Sequence, residues 1–451
     1  METVVTIVLV GFVVAVAYNY LMGTYLERPY PFGTFLFRPN DRFGDFVRQA
    51  INSINLDPYT STRHGFASNY PPLTHVFLYM FTKLSLPVAV VAFVSLFLAG
   101  HFALGCRFFQ ADTRVGTFWN AFVLTFLSYP VLIAVDRGNM ETYVFLLLAG
   151  FVLAYRSGHF RLAAVFVGLA AAMKIFPILL AVMFLADRRY REFLLALLVP
   201  AVITVACFAL MGQGFEFNLF SFLNNLRSFG SLYGIGIEGW MFGHSLFGLV
   251  KVVLAAVAPG ALVENTTAAY MPYQVVALVI LVATLAHVVF VEPTLWKRLA
   301  LLVICMCLLP VTSGDYKLIH LYLPLYLFIQ DGSRISHDRL LAVLFGLLLI
   351  PKAYLPLFPE SLEYLVNRAA GDPLFLRWPY EINMSIVLNP LLLIGLWSLL
   401  VVPRYMYPRS RPSIGTSTCS STLTNHDNTC HFGENQSDNI SKMKLLPKAL
   451  Q

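Results

Sequence analysis

The residues best placed to do chemistry are a few charged side chains set between long apolar runs. Asp41 and Asp45 are four residues apart, so they would share one face if this segment is helical. Two carboxylates on one face could act as a general base with a helper, or bind a divalent cation. The alternative is that both are solvated loop acids, which composition alone favours.

A second set of charges lies further along the chain. The segment Arg137-Gly138-Asn139-Met140-Glu141 predicts a helix start, with Asn139 as its N-cap and Glu141 in the first turn. A purely structural role as a helix start needs no ligand. In a functional role, Arg137 would lie beside an anionic group of a substrate. Lys174 lies in an apolar run, where an unpaired ammonium group costs about 2.5–3.5 kcal/mol. We therefore expect a partner anion, either Glu141 or a ligand phosphate.

The composition excludes most classes of protein. Hydrophobic residues make up 58% of the 451 residues and charged residues 12%, with a mean hydropathy of +0.70. Soluble domains are about 25% charged, so this chain lacks the polar surface to cover a globule in water. A soluble enzyme, a disordered chain and a nucleic-acid-binding protein are thereby excluded. The net charge of +7 fits basic cytosolic loops.

Long apolar runs predict an all-α polytopic membrane protein. A membrane helix needs roughly 20 apolar residues, and we predict ten to twelve spans, the first from Val4 to Leu21. The polar loop from Gly23 to Tyr70 contains an amphipathic pattern over Arg42 to Ile54, which predicts an interfacial helix. Residues 212–245 are predicted to form a second long loop. Residues 1–407 would be the membrane domain and residues 408–451 a disordered cytosolic tail.

Basic clusters set the predicted orientation. With the N-terminus in the cytosol, nearly all Arg and Lys clusters fall on one side and the long loops on the other. The run from Leu162 to Ala186 has basic residues at both ends, so we expect two half-helices that meet at Lys174. The acids and bases, including Asp315 and Lys317 in a late turn, then converge on the non-cytosolic face. A transporter would more often line both halves of a midplane cavity.

Several segments together resemble a known group. Asp45-Phe46, then Asp57-Pro58-Tyr59 and Tyr70-Pro71-Pro72-Leu73, resemble the first outer loop of the GT-C glycosyltransferases, in the branch with polyprenyl-phosphate-mannose and arabinofuranose transferases. Arg137 to Glu141 is similar to that branch's Arg-Gly-Asn-Ile-Glu turn, and Gly168 to Pro177 to its segment with a Lys and a Pro. His244-Ser245-Leu246 and Asp315-Tyr316-Lys317 follow in matching order. The resemblance covers about Asp41 to Arg339.

The resemblance implies a GT-C-like bundle and an inverting transferase. Its donor would be a hexose or pentose on a polyprenyl phosphate, with a mannose-like sugar as the first choice. Its acceptor would be a glycan or a glycolipid. Asp45 would be the catalytic base. The matched and neighbouring polar residues would bind substrate: Asp41, Arg42, Tyr59, Tyr70, Arg137, Asn139, Glu141, Lys174, His244, Asp315 and Lys317. No cofactor is implied with certainty, although a divalent cation is possible.

Two other functions fit the same pattern. A transporter or flippase for a lipid-linked saccharide would share a lipid groove and cations for the phosphate. A non-catalytic membrane scaffold would leave Asp45 dispensable. In each case membrane lipid is a partner and nucleic acid is not. We expect a multi-pass protein of the plasma membrane, with the site on the non-cytosolic face.

Overall fold

The computed structural model describes residues 1–28, 30–60, 67–236, 240, 243–258, 261–331, 337–352, 354–356 and 381–406. Residues 1–407 form one compact unit. The predicted tail, residues 408–451, and the whole region from 357 to 380 lie outside the described residues, so the domain boundary stays a prediction.

The described chain is built almost entirely of helices. They are α1 (Glu2–Tyr20), α2 (Gly44–Ser53), α3 (Pro72–Phe81), α4 (Leu86–Phe108), α5 (Arg114–Phe126), α6 (Tyr129–Arg137), α7 (Glu141–Arg156), α8 (Phe160–Met173), α9 (Val182–Ala186), α10 (Tyr190–Leu210), α11 (Phe215–Phe229), α12 (Leu246–Val257), α13 (Leu262–Phe290), α14 (Leu295–Leu308), α15 (Tyr322–Gln330), α16 (Asp338–Leu349) and α17 (Ser385–Met406). Strands β1 (Tyr354–Pro356) and β2 (Glu381–Asn383) pair antiparallel. Short 3-10 helices cover Pro39–Asp41, Phe176–Ala181 and Asp315–Leu321, and α1 continues as a π-helix over Leu21–Tyr25.

Among the residues that the structure describes, five helices are long and apolar enough to cross a membrane: α1 with its π-helical extension, α4, α10, α13 and α17. Helices α5 and α6 make a sixth span if counted together, although the chain bends by 50° between them. Only 17–28% of the apolar windows of α1, α4, α10 and α13 is buried inside the protein, as expected for helices that face lipid. The chain is an all-α polytopic membrane protein, as predicted, while ten to twelve spans stay a prediction.

Two local predictions are confirmed, and a third region contains a helix that was not predicted. The amphipathic pattern after Arg42 forms α2, and the run containing Lys174 breaks where α8 ends at Met173. Within the predicted second long loop, residues 215–229 form the 15-residue helix α11. Its Phe- and Leu-rich pattern has helical spacing, and the glycines that indicated a loop lie outside the helix.

The core lies where α7, α8, α14 and α15 meet. All but a few of the side chains of α14 are buried, and α15 contributes the fully buried Tyr322 and Tyr326. The ring of Tyr326 stacks on Phe108 with centroids 4.6 Å apart. These buried helices surround the start of α7, where the charged residues predicted from the sequence are found.

Candidate functional site

Arg137 joins the two acids of the first loop. It is the last residue of α6, and its side chain is 7% exposed. One guanidinium nitrogen donates to Asp41 Oδ2 at 2.9 Å and to the Asp41 carbonyl oxygen at 3.0 Å. The other donates to Asp45 Oδ1 at 2.5 Å, and the guanidinium carbon lies 4.0 Å from the centre of the Phe37 ring. Arg137 therefore holds both carboxylates.

The two acids do not share a helix face, because the segment that joins them is not one continuous helix. Asp41 ends a 3-10 helix, and Arg42 is extended. Phe43 then has a φ of 56° in the left-handed region, and α2 begins only at Gly44. This reversal of the chain turns Asp45, in the first turn of α2, toward the same guanidinium group as Asp41. The two carboxylates do lie close together, as their four-residue spacing suggested. Their shared contact with Arg137, and not a common helix face, brings them together.

The turn between α6 and α7 brings Asn139 to Asp45. Gly138 has a φ of 60°, and a Cβ atom there would lie 2.7 Å from Phe46 Cβ, so the turn packs closely on α2. Asn139 Oδ1 accepts the backbone N–H of Glu141 at 3.0 Å, although the N-cap of α7 is Met140 and not Asn139 as predicted. Its Nδ2 donates to Asp45 Oδ2 at 2.6 Å and to Tyr70 Oη at 3.3 Å.

Lys174 pairs with Glu141 at the break after α8. The residue is extended and Pro177 follows, so the helix stops and the side chain turns toward α7. Its Nζ lies 3.0 Å from Glu141 Oε1 and donates to Asn139 Oδ1 at 3.2 Å. The Glu141 side chain is fully buried, whereas that of Lys174 is 13% exposed. Of the two anions expected for Lys174, Glu141 is the one in place.

The 3-10 helix Asp315–Leu321 adds Lys317 and His320 to this group. Residues three apart align on a 3-10 helix, and His320 Nε2 lies 2.8 Å from Glu141 Oε2. The charge of Lys317 acts on Glu141, and its ammonium group lies 4.6 Å from the centre of the Phe176 ring. Sequence reasoning missed His320 because the predicted turn with Asp315 and Lys317 ended before it, whereas the 3-10 helix continues to Leu321. The three-residue spacing from Lys317 was the available signal.

These contacts define one group, here called the Asp45 cluster. It comprises Asp41, Asp45, Arg48, Arg137, Asn139, Glu141, Lys174, Lys317 and His320. With His320 taken as neutral, its four cations exceed its three carboxylates by one. Lys317 makes no salt bridge within the part of the chain that the structure describes. Within these nine residues one cation is therefore in excess, and the nearby Asp136 carboxylate, on which the charge of Arg137 acts, lies outside the cluster.

Electrostatics within the cluster favour the ionised form of its outer acid. Partial burial raises the pKa of Asp41. Hydrogen bonding to Arg48, with the nearby charge of Arg137, outweighs this effect and holds the pKa below its usual value. Arg48 binds both Asp41 oxygens, at 2.6 and 2.7 Å. The Asp41 carboxylate is therefore hydrogen-bonded by Arg48 and Arg137 at the same time.

His244 and Asp315 form a separate buried cluster. His244 Nδ1 lies 3.1 Å from Asp315 Oδ1, while Tyr129 Oη donates to Asp315 Oδ2 at 2.9 Å. Asn389 Nδ2 also approaches Asp315 Oδ1, at 3.4 Å. The relative exposures of His244 and Asp315 are 0% and 1%. The structure thus places these two predicted substrate contacts on a junction between helices, away from the Asp45 carboxylate.

The remaining predicted residues divide between the cluster and its surroundings. Tyr70 lies at the Asp45 cluster, with the Lys174 ammonium group 4.7 Å from the centre of its ring. Tyr59 is 3% exposed, and its hydroxyl donates to the Tyr70 carbonyl oxygen at 3.0 Å. Arg42 is exposed, and its charge acts on Asp136. Tyr59 therefore supports Tyr70 from behind.

Metal ligands and open cavities are two further features that could mark a functional site. Within the described ranges, no group of three or more His, Cys, Asp or Glu residues could hold a metal ion. An open cavity of about 690 Å³ lies along residues 213–224, and another of about 430 Å³ includes Arg227 and Tyr270. Asp45 does not line either one. Both cavities belong to the surroundings of α11.

Comparison with known families agrees with this geometry. The family model of Glycosyltransferase family 87 matches residues 69–313, which is more than half of the chain. The match contains Tyr70, the turn from Arg137 to Glu141, and Lys174, whereas Asp45 precedes it. A comparison with curated proteins finds no match. The chain belongs to Glycosyltransferase family 87 and is a membrane glycosyltransferase.

Proposed function

We propose that this glycosyltransferase moves a mannose-like sugar from a polyprenyl-phosphate donor to a hydroxyl of a glycan or glycolipid acceptor. Asp45 is the general base, and the anomeric centre is inverted. The observation that carries the proposal is the Asp45 cluster itself, in which a partly exposed carboxylate lies in one group with more cations than carboxylates. The family match supports transfer of a sugar, and the cluster supports the choice of donor and base.

The excess positive charge suits a phosphate leaving group. When the bond between the anomeric carbon and the phosphate oxygen breaks, the polyprenyl phosphate gains a negative charge. Fixed cations stabilise that developing charge more than the ground state, so they lower the barrier. Lys317, whose charge is not balanced by a carboxylate of its own among the described residues, is the first candidate for this role, and Lys174 is the second.

Asp45 has the exposure and the partners that a base requires. Its side chain is 22% exposed, against 7% for Arg137 and 0% for Glu141. Each carboxylate oxygen accepts one hydrogen bond, from Arg137 or Asn139, and keeps a further lone pair. As the acceptor oxygen attacks the anomeric carbon, its proton passes to Asp45. Displacement on the face opposite the phosphate inverts the configuration.

The helices that surround the cluster support a site on the non-cytosolic face of the plasma membrane. Helix α7 runs from Glu141, in the cluster, to Arg156. Helix α8 begins beside Arg161 and ends in the cluster, and the chain returns from there to Arg188. Basic residues thus lie at the helix ends remote from Asp45. Because cytosolic loops are enriched in Lys and Arg, the cluster would face the opposite side, where a lipid-linked donor can enter from the bilayer.

The test is sugar transfer by Asp45→Asn in purified protein. Radiolabelled polyprenyl-phosphate sugars, beginning with mannose, are supplied with a panel of glycan and glycolipid acceptors. A positioned general base contributes about 10²–10⁴-fold, so we expect transfer to fall at least about 100-fold. Asp112→Asn is the matched control because Asp112 is an exposed acid outside the cluster, and it should transfer at the wild-type rate.

The donor assignment has its own measurement. Lys317→Met should raise the KM for the lipid-phosphate donor, or lower kcat, while the same protein keeps its folded elution profile. If Asp45→Asn transfers sugar as well as the wild type, the base assignment is wrong. If no lipid-phosphate sugar is a donor and nucleotide sugars are, the donor class is wrong. Movement of a lipid-linked saccharide across vesicles without sugar transfer would favour the flippase alternative.

A further inference from the structure

A ring of largely buried polar groups lies along α2 beyond Asp45, one and two turns further along the helix. His75, on α3, contacts Ser53 Oγ through Nδ1 at 2.8 Å and Ser68 Oγ through Nε2 at 2.8 Å. Ser68 Oγ donates to Gln49 Oε1 at 2.7 Å. Gln49 and Ser53 are one turn apart on α2, and Ser53 Oγ lies 2.6 Å from the Gln49 carbonyl oxygen, so these contacts close a ring between α2, α3 and the end of the first loop.

A neutral imidazole protonated at Nε2 can use both of its nitrogens here. Nε2–H donates to Ser68, Ser68 donates to Gln49 Oε1, and Nδ1 accepts the single Ser53 hydroxyl proton when that proton turns away from the Gln49 carbonyl oxygen, which lies 2.6 Å from Ser53 Oγ. His75 and Ser53 are 0% exposed and Ser68 is 1% exposed, so water does not compete for these groups. An apolar ring in place of His75 would leave Ser53 and Ser68 buried without this partner, which is costly.

The ring is connected to the Asp45 cluster by two routes. The first is α2 itself, because Asp45 lies in its first turn and Gln49 and Ser53 lie in the following turns. The second is Ser68, whose Oγ also accepts the backbone N–H of Tyr70 at 3.1 Å. Tyr70 in turn contacts Asn139 through its hydroxyl. Asp45 and Tyr70 are therefore held relative to each other through the groups that meet at His75.

Helix α11 closes the same segment from the other side. Asn225 Nδ2 donates to the carbonyl oxygens of Tyr59 and Ser68, at 3.2 and 3.0 Å. The backbone N–H of Ser68 donates to the Pro58 carbonyl oxygen at 3.1 Å, so the base of this loop is fixed on both sides. The Tyr59 ring packs edge-on against His75, with centroids 5.7 Å apart. His75 thus lies at the centre of a rigid support rather than at its edge.

We propose that His75 is a positioning residue for sugar transfer. It contacts neither the Asp45 carboxylate nor its direct partners. Its imidazole fixes α2 and the Ser68–Tyr70 segment, so that Asp45 and Tyr70 face the same space. The inference rests on the proposed role of Asp45. It goes further because it assigns the alignment of that carboxylate to a buried histidine on another helix.

The experiment combines hydrogen exchange with turnover for three variants. His75→Phe removes both polar contacts, and His75→Gln keeps a donor near the position of Nε2. His101→Phe is the matched control, because His101 is a buried histidine of α4 that contacts Thr125 and lies outside the ring. Amide exchange is followed by mass spectrometry in peptides covering residues 44–53 and 67–71, with α14 as the internal reference. Transfer is measured with the donor identified for the wild type.

Loss of buried hydrogen bonds should lower exchange protection of α2 about 10-fold to 100-fold in His75→Phe. We expect protection of α14 to stay unchanged, and His75→Gln to recover part of the loss. Small displacements of catalytic groups can cost about 100-fold in rate, so kcat should fall at least about 10-fold with a donor KM within about twofold. His101→Phe should leave exchange of α2 and kcat at wild-type values.

Each result bears on one of the two proposals. Unchanged exchange of residues 44–53 in His75→Phe would overturn the positioning role whatever the donor is. Looser α2 with wild-type kcat would also overturn it, because the ring would then be merely structural. If His75→Phe fails to fold, the same measurements on His75→Gln and Ser68→Ala decide the matter. An active Asp45→Asn would instead refute the base assignment, while the exchange data still report whether the ring holds α2.

Discussion

Lys174→Met should destabilise the protein because it leaves a buried carboxylate without its cation. The Lys174 ammonium group lies 3.0 Å from Glu141 Oε1, and the Glu141 side chain is fully buried. Breaking a buried ion pair by removing one partner costs about 3–5 kcal/mol. His320 stays 2.8 Å from the other Glu141 oxygen and Lys317 stays nearby, so the lower end applies. We expect a loss of about 3 kcal/mol in the free energy of unfolding.

The assay is thermal unfolding in detergent, arranged as a double-mutant cycle. With an unfolding entropy of about 2 cal/mol/K per residue, a loss of 3 kcal/mol lowers the Tm of a chain of this length by roughly 3 °C. Glu141→Gln removes the stranded charge, so Lys174→Met should cost less in that background. We expect the coupling energy of the two substitutions to be about 2 kcal/mol. Lys83→Met, at an exposed lysine, is the control and should leave the Tm unchanged.

Additive effects of the two substitutions would refute the reasoning. They would mean that Lys174 does not stabilise the Glu141 charge, and that Glu141 is either protonated or paired elsewhere. A Tm of Lys174→Met equal to that of the wild type would have the same meaning. Destabilisation that is equal in both backgrounds would point to lost packing of the lysine stem rather than to lost charge.

Two further outcomes follow from the same region. Gly138→Ala should destabilise the chain by at least about 1–2 kcal/mol in thermal unfolding, because the left-handed backbone is strained for alanine and its Cβ would press on Phe46; a wild-type Tm would contradict the close packing of the turn. The pKa of Asp41 is lowered in the folded protein by Arg48 and Arg137, so its contribution to stability is present above its unfolded pKa and is lost as pH falls through the folded one. Between pH 5 and pH 2, wild-type Tm should therefore fall more than that of Asp41→Asn, and parallel falls would show that Asp41 does not contribute.

Local signals predicted several parts of the site correctly. Lys174 and Pro177 in an apolar run predicted the break after α8, because a charge and a missing N–H both interrupt a membrane helix. Asn139 and Glu141 predicted the start of α7, since an amide cap and an acid suit a helix N-terminus. These features depend on residues close together in the chain, so the sequence contains the information directly.

Long-range partners could not be predicted in the same way. His320 is 179 residues from Glu141, and nothing local to either residue indicates the contact. His244 and Asp315 carry groups that suit a substrate, yet tertiary packing buries both. In each case the deciding interaction is made by a different helix.

The attachment of Asp45 to Arg137 and Asn139 has a consequence for acceptor choice. Arg137 and Asn139 each donate to one oxygen of Asp45, and these two hydrogen bonds fix the plane of the carboxylate. A proton can then be accepted only by the lone pairs that these hydrogen bonds leave free. A carbohydrate offers several alcohols of nearly equal acidity, and their intrinsic reactivity separates them poorly. Which alcohol reacts would then be set by the angle at which the sugar ring can be presented, and regioselectivity would originate in a locked torsion of the enzyme.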